Sequence, residues 1–200
     1  MHFVNSLPLF TVRMNFIEYL QSHSLSSGRS LNELKTLVRS KTYVKKESVL
    51  PVENRSGNLY FIEKGFARVF YFRESKDVTL YFLGENKIGL PVDSIFYNEV
   101  CKFGIEALTE TKVNVLAYRD WELIMQSEPG LQQLAFRLMV EYIKKANDRI
   151  YNIKFQTPRE RYQGLLAEFP AIGQHAPLGH IASYLGITLE TLSRLRSAGI

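Results

Sequence analysis

The chain has 200 residues, of which 46% are hydrophobic and 22% charged, with a formal net charge of +5. That balance excludes a disordered or fibrous chain and suits one medium domain or two small ones. The single cysteine, Cys101, excludes an internal disulfide framework and leaves no cysteine set for an iron–sulfur cluster or zinc site; the mild basic excess permits an anionic partner without requiring one.

The opening run MHFVNSLPLFTVRMNF lacks a basic leader, and Asn5, Pro8 and Arg13 interrupt its apolar residues. It therefore reads as no signal peptide, and no later run is long enough to span a bilayer. A cytoplasmic chain with no membrane partner is expected. To about Asn54 the pattern is mostly helical. Phe16, Tyr19 and Leu20 recur at helical spacing, as do Leu31, Leu34, Leu37 and Val38, with Asn32 and Glu33 expected in the first turn of that second helix.

From about Tyr43 to Trp121 short aromatic and β-branched runs are broken at Glu63–Gly65, Glu74–Lys76 and Gly84–Asn86, and FGIEAL and KVNVLAY read as two later strands. Closely spaced turns imply a small antiparallel sandwich or barrel. The run VDSIFYNEVCK reads as a helical turn or a loop. From near Asp120 the pattern is helical again. Leu131, Leu134, Leu138, Tyr142, Ala146, Ile150 and Ile153 form a stripe at three- and four-residue steps. The spacing predicts an amphipathic helix of about 25 residues and about 38 Å. Its stripe either packs within the chain or forms a seam with a second copy, for which Leu131, Leu134, Leu138, Tyr142 and Ile150 are the candidates. Thr157–Pro158 then starts a short helix through RERYQGLLAEF, and AIGQHAP reads as a loop.

The most informative stretch is LGHIASYLGITLETLSRL, residues 178–195. Pro177 stands at the opening of a first helix. Ile181 and Leu185 point inward, and Ala182 lets a second helix cross closely. Gly186 can adopt the positive φ that reverses the chain, Ile187 plugs the corner, and Thr188 caps the second helix. Leu192 and Leu195 face back to Ala182 and Ile181. This is helix-turn-helix spacing; its bland counterpart is a helical hairpin in a core. The second helix would present Leu189, Glu190, Ser193, Arg194 and Ser197 outward. Arg194 suits a guanine edge, Glu190 a cytosine amino group and Leu189 a thymine methyl. Thr188, Arg159, Arg161 and Arg196 are candidate phosphate contacts.

In its FIEKGFARVFYF strand pair and its terminal IASYLGITLETLSRLR the chain resembles the CRP/FNR superfamily of bacterial transcription regulators, over nearly its whole length. The resemblance implies an α+β fold: an N-terminal β-roll (double-stranded β-helix or jelly-roll-like) flanked by helices, a long dimerisation helix and a C-terminal helix-turn-helix. The corresponding divisions are 1–127 for a cyclic-nucleotide-binding-like effector roll, 128–155 for the dimerisation helix and 156–200 for the DNA-binding head. It also implies a homodimer on a palindromic site in double-stranded DNA, with RNA polymerase as a further partner. Ending at Ile200 leaves no room for a β-hairpin wing, so a short, wingless-type member is expected, in which dimerisation carries more of the affinity.

The family's recognition helix carries a Glu and, four residues on, an Arg, here Glu190 and Arg194; the Arg that often precedes the Glu is Leu189 here. In cyclic-nucleotide members a Gly-Glu pair and a later Arg-Ser or Arg-Thr pair hold the ribose phosphate. Here Gly89 is followed by Leu90, and Cys101–Lys102 stands near the second pair, so cyclic-AMP binding is expected to be lost. Gly89, Leu90, Tyr97, Cys101 and Lys102 remain the candidates for an effector pocket. No cofactor or metal is expected: His2, His23, His175 and His180 show no ligand spacing, and no histidine lies in the β region or long helix to hold a haem. No nucleophile–base pair or paired carboxylates suggest an enzyme. The alternative is a ligand-sensing or protein-interaction module whose helical tail does not bind DNA.

Overall fold

The computed structural model describes residues 13–74 and 76–198. The leader reading falls largely on residues 1–12 and the chain end on 199–200, both outside the described residues.

Asn15 starts α1 (Phe16–His23) with a reciprocal capping box: its side chain accepts from Glu18 N at 3.0 Å, and its own N–H donates to the Glu18 carboxylate at 2.8 Å. Ser27 caps α2 (Gly28–Leu37). Because that cap starts the helix at Gly28, Asn32 and Glu33 lie in its middle rather than in its first turn.

The β region forms a roll of two antiparallel sheets. The strands are β1 (Arg39–Tyr43), β2 (Ser48–Leu50), β3 (Asn58–Lys64), β4 (Ala67–Arg73), β5 (Lys76–Leu83), β6 (Ile88–Gly89), β7 (Gly104–Ala107) and β8 (Thr111–Ala117). One sheet has the order β1-β8-β3-β6 and the other β2-β7-β4-β5. Alternate side chains point inward, and Tyr60, Ile62, Val69, Leu83, Ile105 and Val113 fill the roll. Within VDSIFYNEVCK only α3 (Val92–Phe96) is helical.

The helical block that follows is two helices, α4 (Tyr118–Gln126) and α5 (Pro129–Phe155), because Pro129 brings no N–H to continue the first and biases Glu128 to extended backbone (φ −124°, ψ 92°). The hydroxyls of Ser27 and Ser30 both donate to the Glu128 carboxylate, tying α2 to the start of α5. The first turns of α5 sink Leu131 and Leu134 into a cluster with Phe16, Leu20, Leu34, Phe61 and Trp121.

Among the described residues four more helices follow: α6 (Pro158–Glu168), α7 (Ile172–His175), α8 (Leu178–Leu185) and α9 (Leu189–Ser197). Thr157 and Glu160 form a second capping box at the start of α6. The AIGQHAP loop of the sequence reading contains α7, which is anchored by the fully buried Ile172. These helices share one apolar cluster with the roll: Phe66, Phe82 and Leu108 pack with Tyr162, Leu165, Ile172, Ile181, Leu185 and Leu192. Phe82 can do this because it alternates with Leu83, which faces the roll interior.

Candidate nucleic-acid interface

Ile181, Ala182 and Leu185 of α8 and Leu192 of α9 are buried against one another, and Leu195 packs at their margin. The turn between the helices is built by satisfying the last carbonyls of α8, which have no partner inside the helix. Gly186 takes φ +67°, and Gly186 N donates to Ser183 O and Ile187 N to Ala182 O, both at 3.1 Å. The Tyr184 carbonyl accepts from Arg149 at 2.6 Å and the Leu185 carbonyl from Arg161 at 3.0 Å. Arg161 also donates to Gln156 O at 2.6 Å, so one guanidinium closes the ends of both α5 and α8. Arg161 is half-buried and spends its Nε–H and one Nη1–H on these carbonyls, while Arg159 and Arg196 stay exposed. Pro177 sits one position earlier than a first helical residue, as the N-cap of α8.

Thr188 caps α9 by accepting from Thr191 N at 3.1 Å. With that start fixed, Leu189, Glu190, Ser193, Arg194, Arg196 and Ser197 are all exposed. Glu190 and Arg194 meet as an i,i+4 ion pair with side chains 72% and 78% exposed. Such a pair is weak and readily exchanged. The outward face therefore carries an apolar contact, an acceptor and a bidentate donor, free of protein cover.

The head is locked to the roll by polar contacts as well. Thr79 N donates to the Ser183 hydroxyl at 3.0 Å, and the Arg149 guanidinium lies 4.1 Å above the Tyr184 ring. Beneath α8, Arg68 is almost wholly buried and holds Glu106 at 2.7 Å, Asp77 at 2.8 Å and the Thr79 hydroxyl at 3.1 Å. Its hydrogen bond keeps the Asp77 carboxyl below the usual carboxylate range. His180 packs on this knot with Nδ1 buried and without a partner. Burial, and then the nearby Arg68 charge, push its pKa down, against the weaker pull of Asp77 and Glu106.

The expected effector residues fall in different surroundings. Gly89 is inside the roll, where a Cβ would stand 2.8 Å from Ile105 Cδ1. Cys101 is fully buried in the same interior, and burial raises its thiol pKa. Leu90 packs half-buried on the cluster around Phe16 and Trp121, whereas Tyr97 and Lys102 are exposed. The atoms nearest to a Cβ at Gly89 are those of the Ile105 and Leu83 side chains.

The seam predicted on α5 is also revised. Leu131 and Leu134 are 0% and 1% exposed and Leu138 packs on the same core, so the chain itself covers them. Tyr142 and Ile150 are exposed, and Ile150 falls in the register of apolar residues that α5 shows to solvent, whereas Tyr142 lies outside it. Phe136, Ile143 and Ile150 recur every seven residues, and Met139, Ala146 and Ile153 follow each by three. That is a heptad repeat, legible in the sequence once the buried first turns are set aside.

Among the described residues no group of three or more His, Cys, Asp or Glu could hold a metal, and no helix is long and apolar enough to cross a membrane. No protein-family model matches the sequence, and no curated protein matches it by sequence. Solved structures do match. FixK2 from Bradyrhizobium japonicum superposes with a TM-score of 0.68 at 18% identity, over 80% of this chain and 83% of that one. A CooA variant from Carboxydothermus hydrogenoformans gives 0.67 at 22% identity, over 92% of this chain and 84% of that one. The c-di-GMP responsive global regulator CLP of Xanthomonas campestris gives 0.66 at 12% identity, over 86% and 91%. Two four-stranded sheets closed into a roll, a long helix leaving the roll and a terminal helix pair are thus shared at low identity, and the chain has the CRP/FNR-like cyclic-nucleotide-binding fold.

Proposed function

We propose that the chain is a sequence-specific DNA-binding transcription regulator of the CRP/FNR type, acting in the cytoplasm as a homodimer and not as an enzyme. Residues 1–127 form the effector roll, 128–155 the dimerisation helix and 156–200 the reading head. The observation that carries this reading is α9: a capped helix, held by a completed turn, with Leu189, Glu190, Ser193, Arg194 and Ser197 open to solvent. Thr188 and Arg196 flank that face as phosphate contacts.

The dimer is supported by the exposed heptad of α5, where Phe136, Ile143 and Ile150 are 64%, 51% and 55% exposed. Apolar residues repeating in that register are stabilised by a second helix. Two heads related by a twofold axis read two half-sites about 34 Å apart. RNA polymerase is the partner that a DNA-bound regulator of this type engages. Ile105 and Leu83 crowding Gly89, with Leu90 following it and Cys101 preceding Lys102, support a roll that does not take cyclic AMP.

Selection of the full chain on random-sequence duplex tests the proposal. The expected product is an inverted repeat with half-sites about one helical turn apart. A pool that stays random after selection contradicts it and favours a protein-interaction module.

A further inference from the structure

The last turns of α5 have different neighbours on different sides. Ile150 and Ile153 belong to the exposed heptad, whereas Arg149, one position before Ile150, stands about 100° round the helix from it. Lys145 and Gln156, four residues before Arg149 and seven after it, share that second side. All three reach the head. Lys145 pairs with Glu168 at the end of α6 at 2.8 Å, and the Gln156 carbonyl accepts from Arg161 at 2.6 Å. Arg149 reaches the helix pair itself: it donates to the Tyr184 carbonyl at 2.6 Å, and its guanidinium lies 4.1 Å from the centroid of the Tyr184 ring.

These ties differ in strength and in direction. Lys145 and Glu168 have side chains 59% and 43% exposed, so their pair is weak. The bond of Arg161 to Gln156 spans five residues and is local to the connection between α5 and α6. Arg149 is half-buried, and among the described residues no carboxylate competes for it: Asp148 is taken by Lys144 and Glu168 by Lys145. The Tyr184 ring also packs on Phe82 of β5, with centroids 5.2 Å apart, so Arg149 bears on a supported side chain. A charged donor on a backbone carbonyl, joined to a cation–π contact, fixes both distance and angle. The apolar cluster beneath the head is non-directional by comparison. Along the chain only Gln156 and Thr157 separate α5 from α6.

We propose that Arg149 is the positioning residue that sets the separation and relative twist of the two DNA half-sites. The inference rests on the head reading DNA and on α5 forming the dimer seam. The seam fixes α5 to the twofold axis, so the angle between α5 and its head fixes where each α9 falls on the duplex. Half-sites one helical turn apart are separated by about 34 Å and about 10.5 base pairs. One added base pair therefore moves each head by about 1.7 Å and turns it by about 17°. An apolar contact slides through such a change, whereas a hydrogen bond weakens steeply as its angle closes. Arg149 touches no base in this arrangement. It contributes preference for a spacing and leaves the preference for bases to α9.

The test uses the full chain and the half-sites it selects, joined by a ladder of spacers that differ by one base pair. The parent should bind its best spacer at least about tenfold more tightly than the neighbouring ones, the lower end of what a hydrogen bond to a charged group contributes. Arg149→Met keeps an unbranched apolar side chain beside Tyr184 and removes the charge and the donors. It should bring that preference below about threefold. Base preferences within each half-site, and affinity for a duplex carrying a single half-site, should stay unchanged. Tyr184→Leu removes the ring beside the guanidinium and should flatten the ladder likewise. Thermal melting verifies that the variants are folded, and Tyr184→Leu decides if Arg149→Met is not. Lys154→Met removes an exposed charge of the same helix that has no ion pair among the described residues, and should keep the parent's ladder. A ladder as steep in Arg149→Met as in the parent overturns the proposal. So does an equal loss on the single half-site, which would make Arg149 a support of the head's own fold. So does a flattened ladder in Lys154→Met, which would make charge rather than geometry the cause. A parent that selects no sequence removes the DNA-reading assignment, and one that selects single half-sites removes the dimer; either overturns the proposal with it, by a result distinct from the others.

Discussion

Replacing Phe82 with alanine should separate the head from the roll without unfolding the roll. Phe82 is 5% exposed, and its ring lies 5.6 Å from Phe66, 5.2 Å from Tyr184 and 6.4 Å from Phe169. Two of those three partners belong to the head. Truncating a buried phenylalanine costs about 3–5 kcal/mol, or about two to three and a half powers of ten in an opening equilibrium. Most of that loss falls on docking, because the roll interior uses Val69 and Leu83 on the other face of that sheet. Hydrogen exchange read peptide by peptide is the assay. Amides of α8 and of α6 should lose protection by those factors, while amides of β4 and β8 keep theirs. Equal loss in both parts, or loss in neither, would refute the reasoning that one shared cluster holds two separable bodies.

Three further outcomes follow from the same geometry. Gly186→Ala places a Cβ in open space, so only the left-handed backbone opposes it; stability should fall by about 1–2 kcal/mol, read from chemical denaturation. His180 is held below its ordinary pKa of 6.5, so the folded chain binds fewer protons there than the unfolded one. Its stability should be full above that value and decline as pH falls through it, with a second loss below 3.8 as the Asp77 carboxyl, held low by Arg68, is protonated. His180→Gln should remove the first decline and keep the second, seen in denaturation midpoints across pH. Ile143→Glu with Ile150→Glu should convert a dimer into a 23.1 kDa monomer in sedimentation; a parent that is already monomeric at micromolar concentration contradicts the heptad reading.

The helix pair was legible because its signals are local. Ala182, Gly186 and Thr188 lie within seven residues, and each acts on backbone it adjoins. The capping box at Thr157 was half visible for the same reason. What escaped depends on partners far along the chain. Leu131 and Leu134 look like seam residues by period, but Phe16, Leu20 and Trp121 cover them. Arg149 and Arg161 look like surface charges, yet they close carbonyls of α8 that lie 35 and 24 residues away. The roll was legible as strands and turns, whereas the filling of its interior at Ile105 and Cys101 depended on how two sheets face each other.

The central claim is that α9 reads bases through its exposed face. Selection of DNA sites by the parent and by Arg194→Ala tests it most directly. The account predicts that the variant keeps the half-site spacing and loses preference at one base pair per half-site, by about 1–3 kcal/mol of discrimination. Identical preferences at every position in the two selections would contradict it.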